Sequence, residues 1–394
     1  MENQRPSPFS AIKVVEYGEG ISAAYGAKML ADIGADVIKI EPPEGDLARR
    51  RGPFPNDQPD PERSAIFIYL NTNKRGVIAD LRRPEGRELL GGLLARADIL
   101  IHNVSPDRRA EQGLHSAQLC AEYPHLIVTS ISIFGDTGPH AGYKGYELTA
   151  SNAGGWANLS PGASPYADLP PLKCFGSQCD FQGGAHAAFT SLAAWLARLK
   201  TGKGQAIDIS EQEVIAAMLE MNLVHYTYAQ REASRLGQRL LGPWFIADCA
   251  DGKIFCLAVE EDQWKRLVEL MGNPEWAQDD LFKVRLSRGA NMDALKALMA
   301  DWISKWKAQE LYQAAQKNRI PFAPINTMKD LYENPQLRER GFFTPIEQPG
   351  VGRLSVPGMP SRYGVTRWSL RRPAPRLGEH TEEIRRELAA AGGA

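Results

Sequence analysis

An aspartate at the head of a helix is the first residue in this chain whose type and setting could do chemistry. Asp180 lies in Cys179-Asp180-Phe181-Gln182-Gly183-Gly184, and behind it Ala187, Ala188, Leu192, Trp195, Leu196 and Leu199 recur at helical spacing. A carboxylate is a weak nucleophile in water, but it can attack a carbonyl where a site desolvates it and holds its partner at reacting distance. The same position also suits an ordinary N-cap, because Asp accepts hydrogen bonds from the free N–H groups of a first helical turn. The residues next to Asp180 leave both readings open.

Three further groups could bind anions. Gly18-Glu19-Gly20-Ile21-Ser22-Ala23 satisfies G-x-G-x-x-G/A between an apolar strand at residues 12–17 and a helix at 22–33, and Glu41 closes the next strand. That pattern is also the one a dinucleotide-binding protein uses, with the acidic residue on a ribose. Arg49-Arg50-Arg51 forms a basic loop that is either solvated surface or a phosphate contact. Asn71-Thr72-Asn73-Lys74-Arg75 leads into another strand, and Lys and Arg there could meet phosphates through charge-assisted hydrogen bonds.

The elements that must position these groups alternate between strand and helix. Strands are expected at residues 12–17, 35–40, 97–101, 126–134 and 205–209, which predicts an α/β, Rossmann-like sheet. Residues 210–230 read as one long helix, 245–259 as a hairpin with Asp251-Gly252 in a type I′ turn, and 263–271 and 292–316 as amphipathic helices. A length of 394 residues favours two domains. With 46 Lys and Arg against 47 Asp and Glu there is no overall basic field for nucleic acid. The five scattered cysteines have no metal-binding spacing and suit a reduced compartment. No stretch approaches the ~20 apolar residues of a membrane span and the N-terminus lacks a signal-peptide core, so a soluble cytoplasmic protein is expected.

Asp180 with its two glycines, Leu192-Ala193-Ala194 and the turn Thr201-Gly202-Lys203-Gly204-Gln205 resemble the segment that carries the catalytic aspartate of family III CoA-transferases, the formyl-CoA:oxalate and carnitine group. The resemblance runs from Ile12 to about Leu388 and includes Asn71 to Arg75, Asn103 and Pro106, Ile320-Pro321-Phe322-Ala323-Pro324, and Arg376-Leu377-Gly378-Glu379-His380-Thr381. It implies that Asp180 is the nucleophile, supported by Tyr146 and Glu147. It also implies that Ser22, Asn73, Lys74, Arg75, Asn103 and Lys144 contact CoA, Lys74 and Arg75 meeting its phosphates. The fold it implies is a large Rossmann-like domain at residues 1–215, a linker at 216–236, a small α+β domain at 237–327 and a return to the large domain at 328–394. Two such chains are expected to interlock as linked rings.

By this resemblance CoA moves from an acyl-CoA donor to a free carboxylic acid through an aspartyl anhydride and then an aspartyl-CoA thioester. No permanent cofactor and no metal are implied, and the partners are the two substrates and a second chain, identical or a paralogue. Related 2-methylacyl-CoA racemases carry a His-Asp pair, for proton transfer at the α-carbon, where this chain has Tyr146-Glu147. Racemase, catalytically silent CoA-binding subunit and dehydrogenase are the alternatives. Ile21 and Ala24 replace a Gln and a Pro of some relatives, and no glycine run stands near Ala258-Val259-Glu260-Glu261. Trp156, Phe175, Tyr226 and Tyr228 could line an apolar acyl pocket or belong to the core.

Overall fold

Strands made of Val and Ile on both faces must be covered on both faces, and that requirement organises this structure. The computed structural model describes residues 7, 9–161, 168–235, 241–364 and 368–392. The strands β1 (Lys13–Tyr17), β2 (Asp36–Glu41), β3 (Lys74–Ile78), β4 (Ile99–His102), β5 (Ile127–Ser132) and β6 (Ala206–Ser210) form one parallel sheet in the order β3-β2-β1-β4-β5-β6. Val14 pairs with Val37 on one side and with Ile99 on the other, so the strand order reverses between β1 and β4. In open α/β sheets such a reversal opens a crevice beyond the carboxyl ends of the two strands.

In chain order the helices are α1 (Ser22–Asp32), α2 (Ala65–Asn71), α3 (Pro84–Leu94), α4 (Arg109–Gln112), α5 (Ser116–Glu122), α6 (Glu147–Ala153), α7 (Trp156–Leu159), α8 (Gln178–Thr201), α9 (Glu211–Ala217) and α10 (Met221–Ala229). Ala23, Ala27, Leu30, Ala187, Ala188 and Ala194 of α1 and α8 cover one sheet face, against Val14, Val37, Ile99 and Ile127. Leu90, Leu93, Leu94 and Leu119 of α3 and α5 cover the other, with Ile384 of the C-terminal helix Thr381–Gly392. The edge strand β3 is closed by the C-terminal segment: Gly76 N donates to His380 Nδ1 (3.2 Å), His380 N to Gly76 O (2.9 Å) and Ile78 N to Thr381 Oγ1 (3.1 Å). The sheet therefore has no open edge there for another strand to pair with.

Two compact units make up the chain, one of residues up to 160, 171–233 and 339 onward, the other of Pro161–Pro170 with Ser234–Arg338. In the second, β7 (Trp244–Asp248), β8 (Lys253–Leu257) and β9 (Ala323–Pro324) form an antiparallel sheet, packed through Phe245, Ile254 and Cys256 on Trp264, Leu267, Leu295, Met299 and Leu311. Among the described residues no helix is long and apolar enough to cross a membrane.

Four local expectations need correction. Residues 210–230 are not one helix: α9 stops at Ala217 and α10 starts at Met221 after Glu220, which takes φ 54°, so the expected linker contains a helix. Residues 292–316 divide into Met292–Ser304 and Ala308–Lys317. The hairpin is real, but Cys249-Ala250-Asp251-Gly252 joins it, and neither Asp251 nor Gly252 takes the positive φ of a type I′ turn. The second unit also runs past Thr327 to Arg338, through the short helix Met328–Glu333 and most of Pro335–Glu339; the expected start of the small domain, Gly237, lies outside the described residues.

Candidate active site

The crevice between β1 and β4 is floored by the glycine turn, and a single side chain fixes its shape. Asn103, just beyond β4, accepts from Glu19 N (3.0 Å) and donates through Nδ2 to Glu19 O (2.8 Å) and Ser22 Oγ (3.1 Å). Gly18 is required by this bridge, since a Cβ there would fall 2.1 Å from Asn103 Oδ1. Behind the turn, Asp46 Oδ1 accepts from Gly20 N at 2.8 Å while its Oδ2 pairs with Lys39 at 2.8 Å. Lys39 also pairs with Glu16 (2.7 Å) and Lys74 with Glu16 (2.6 Å), and all four side chains are fully buried. Burial opposes the Lys39 charge, yet Asp46 and Glu16 together raise its pKa above the usual ammonium range.

Glycines let α8 dock on the start of α1. A Cβ on Gly184 would fall 2.5 Å from Ser22 O, and one on Gly26 would fall 2.9 Å from Gly184 O. Tyr25 and Phe181 lock the contact edge to face, with ring centroids 4.8 Å apart. Asp180 is the third residue of α8, whose N-cap Ser177 makes no capping hydrogen bond through its side chain. Asp180 is therefore not the N-cap. It is half-buried beside a carboxylate: burial first, then the Glu147 charge, push its pKa up to about 6, against the pull of Arg51, the Ser177 hydroxyl and Lys173. Glu147 pairs with Lys173 at 2.9 Å and accepts from the Cys179 thiol, whose pKa burial and Glu147 push up to about 12. Opposite Gly183 stands Glu211, buried, its pKa pushed up to about 8 by burial and then by the Asp180 charge.

Such a site holds an unusual concentration of carboxyl groups under the first turns of two helices, α1 and α8. Among the described residues no set of His, Cys, Asp and Glu side chains converges as metal ligands would. The model of the family described as CoA-transferase family III matches residues 9–381. The chain belongs to CoA-transferase family III. It is 32% identical over 395 aligned positions to the succinate–glutarate CoA-transferase of Agrobacterium fabrum, covering 98% of this chain and 97% of that one. It is 34% identical to subunit BbsE of the succinyl-CoA:(R)-benzylsuccinate CoA-transferase of Thauera aromatica, covering 95% of this chain and 93% of that one. A CAIB/BAIF family protein from Brucella suis superposes with a TM-score of 0.86 at 32% identity, over 98% of this chain and all of the other. The chain is thus a CoA-transferase, moving CoA between an acyl thioester and a carboxylate.

Within this CoA-transferase the residues singled out in the sequence fall into two sets. Asp180, Glu147, Ser22 and Asn103 lie on the elements just described. Lys74 is fully buried and its ammonium donates to Glu16, Ala24 O (2.8 Å) and Asn71 Oδ1 (2.9 Å), which uses all three protons. Arg75 is held by Asp36 (2.8 Å), Glu383 (2.9 Å) and Glu387 (2.7 Å), at the opposite, amino-terminal end of the strands. Asn73, at φ 68°, accepts from Arg371 N (2.6 Å) and donates to Asp32 (2.8 Å) and Ser369 O (3.0 Å), tying down the C-terminal segment. These three residues, expected at CoA, make their hydrogen bonds and ion pairs within the fold. Lys144 is exposed and acts on Asp107, and the Tyr146 side chain is 82% exposed.

The rival dinucleotide reading fails on Glu41, which is fully buried and holds Arg49 with both oxygens (2.7 and 2.8 Å), leaving nothing for a ribose. The arginine run divides accordingly: Arg49 is structural and stacks 3.7 Å over Phe67, Arg50 bonds Glu44 O at 3.2 Å, and only Arg51 turns toward Ser177 and Asp180. Trp156 packs beside the cluster of Ala150, Cys179 and Ile215, while Phe175, Tyr226 and Tyr228 are 98%, 51% and 90% exposed and so do not belong to the core. Glu211 was missed because a glutamate after Ser210 reads as a helix-start charge; its only signal is a second glutamate, Glu213, that already fills that role.

Because Gly184 sets the approach of α8, Gly184→Ala is expected to force α8 off α1. The expected loss is about 1–3 kcal/mol of stability, measured by denaturant unfolding. A shift of the Asp180 helix should also cost ~10–100-fold in transfer rate.

Proposed function

We propose that Asp180 is the nucleophile of a double-displacement CoA transfer with succinyl-CoA as donor. The observation that carries this reading is the setting of Asp180: half-buried on the uncapped first turn of α8, next to Glu147, with Arg51 and Lys173 acting on it. Asp180 attacks the donor carbonyl, the C–S bond breaks, and CoA leaves as a thiolate with the bonding pair, giving an aspartyl anhydride. The thiolate then attacks the aspartyl carbonyl, releasing the donor acid as a carboxylate and leaving an aspartyl-CoA thioester. The acceptor carboxylate attacks that thioester and expels the thiolate, which attacks the acyl carbonyl of the new anhydride and frees Asp180. No proton is gained or lost overall. Oxyanions form at each addition, and the first N–H groups of α1, whose N-cap Ile21 gives no side-chain cap, are the donors proposed to meet them.

The donor is argued from the relatives' names: eight related CoA-transferases, at 27–34% identity, are each named for succinate or succinyl-CoA. Their named acceptors, among them glutarate, benzylsuccinate, citramalate, malate and mesaconate, are dicarboxylic acids, and the same class is proposed here. We place the chain in an assembly with a second chain of its kind, identical or a paralogue, since some relatives are named as subunits and others are not. The exposed apolar residues of α10, Met221 (69%), Val224 (56%) and Tyr228 (90%), support this.

With succinyl-CoA and a panel of mono- and dicarboxylic acids, new CoA thioesters are expected, with kcat/KM at least about tenfold higher for dicarboxylates. Absence of transfer from succinyl-CoA to every acid, or an equal preference for monocarboxylates, would count against this reading.

A further inference from the structure

Glu211 is 3% exposed, and its Oε2 has no hydrogen-bond partner. It sits across from Gly183, one helical turn beyond Asp180: a Cβ on Gly183 would come within 3.0 Å of Glu211 Cγ and 3.2 Å of its Oε1. Its helix α9 packs against α6, α8 and β6. From α8 it feels Asp180 and lies beside Cys179, from α6 it feels Glu147, and from α1 the Ser22 hydroxyl faces it. Asp208 of β6 is engaged elsewhere, accepting from Asp136 N at 2.8 Å. The charged groups acting on Glu211 are thus both carboxylates, while the cations of the site act on its neighbours: Arg51 on Asp180, and Lys173 on both Asp180 and Glu147.

A carboxylate buried without a cation or a full set of donors is costly, and a neighbouring negative charge disfavours its ionisation further. Glu213, exposed in the same first turn, already meets the helix end, so that role does not explain a buried glutamate at 211.

We infer that Glu211 is a positioning residue for the nucleophile, holding a proton behind Gly183 so that the pair carries its negative charge on Asp180. In this state its carboxyl O–H is a neutral donor in a site that must accept a thiolate, an oxyanion and an incoming carboxylate. Once Glu211 ionises, the second negative charge opposes each of them. The upward shift to about 8 agrees with a proton held through neutral pH. This inference rests on the assignment of Asp180 as nucleophile.

The test follows the rate of Asp180 modification, trapped as the hydroxamate, with succinyl-CoA in wild type, Glu211→Gln, Glu211→Asp and Glu211→Leu from pH 5.5 to 9.5, hydrolysis subtracted. Expected is a wild-type rate that falls above about pH 8 by ~tenfold per pH unit. The Gln variant should keep the neutral rate within about threefold and lose the alkaline fall, while the Leu variant should drop about tenfold or more at neutral pH. An alkaline fall that persists unchanged in the Gln variant, or an inactive Gln variant beside an active Asp variant, would overturn the inference and leave Asp180 as nucleophile intact. A wild-type chain never labelled at Asp180 would defeat both.

Discussion

Asp180→Asn is expected to lose CoA transfer by at least about 10³-fold, some 4 kcal/mol of transition-state stabilisation, while remaining folded. An amide fills the same space but cannot form the anhydride. The variant should also be no less stable than the wild type at pH 8, and the sign follows from the direction of the Asp180 shift. Its folded pKa is raised to about 6 by burial and Glu147, so the protonated form is the one the fold favours. That contribution is complete below the ordinary carboxylate range and is lost as pH rises through about 6. At pH 8 the wild type carries the cost of the ionised group and the Asn variant does not. Equal thermal melting with no transfer would match the account; transfer at more than a few per cent of the wild-type rate would remove Asp180 as nucleophile.

Lys39→Met is expected to have the largest effect on stability, a loss of about 3–5 kcal/mol by denaturant unfolding. Lys39 lies between Glu16 and Asp46 at 2.7 and 2.8 Å, and none of the three reaches solvent. Removing it leaves Asp46 without a cation and Glu16 with Lys74 alone. The effect should reach the site as well, because Asp46 also holds Gly20 N of the glycine turn. A folded fraction with a higher KM for succinyl-CoA is therefore expected. A loss below about 1 kcal/mol would show that the network tolerates an uncompensated carboxylate, contrary to the argument from burial.

The sheet was legible in the sequence because its strands are short, apolar and β-branched, and because the helices between them keep a helical period; β1, α1 and β2 fall within a residue of their expected bounds. Asp180, the proposed nucleophile, stands out in the sequence through the glycines that follow it, whose purpose, the approach of α8 to α1, only the packing reveals. Charge was read less well. Lys74 and Arg75 look in sequence like a phosphate site, yet one neutralises Glu16 inside the core and the other fastens the C-terminal helix Thr381–Gly392 through Glu383 and Glu387. A basic residue looks the same in a string of letters whether its partner is a ligand or a carboxylate 58 residues away, as Glu16 is from Lys74. Glu211 was hidden for the converse reason: the local pattern offers a sufficient role, and only burial against Gly183 argues for another.

The central claim is that Asp180 becomes covalently joined first to the acyl group and then to CoA. The most direct test is peptide mass spectrometry of the purified protein after brief exposure to succinyl-CoA, with and without hydroxylamine. The account predicts a CoA adduct on the peptide that contains Asp180, replaced by an aspartyl hydroxamate when hydroxylamine is present, and forming faster as pH rises through about 6 while Asp180 ionises. Turnover of succinyl-CoA to a new CoA thioester, with Asp180 unmodified at every time point, would contradict it.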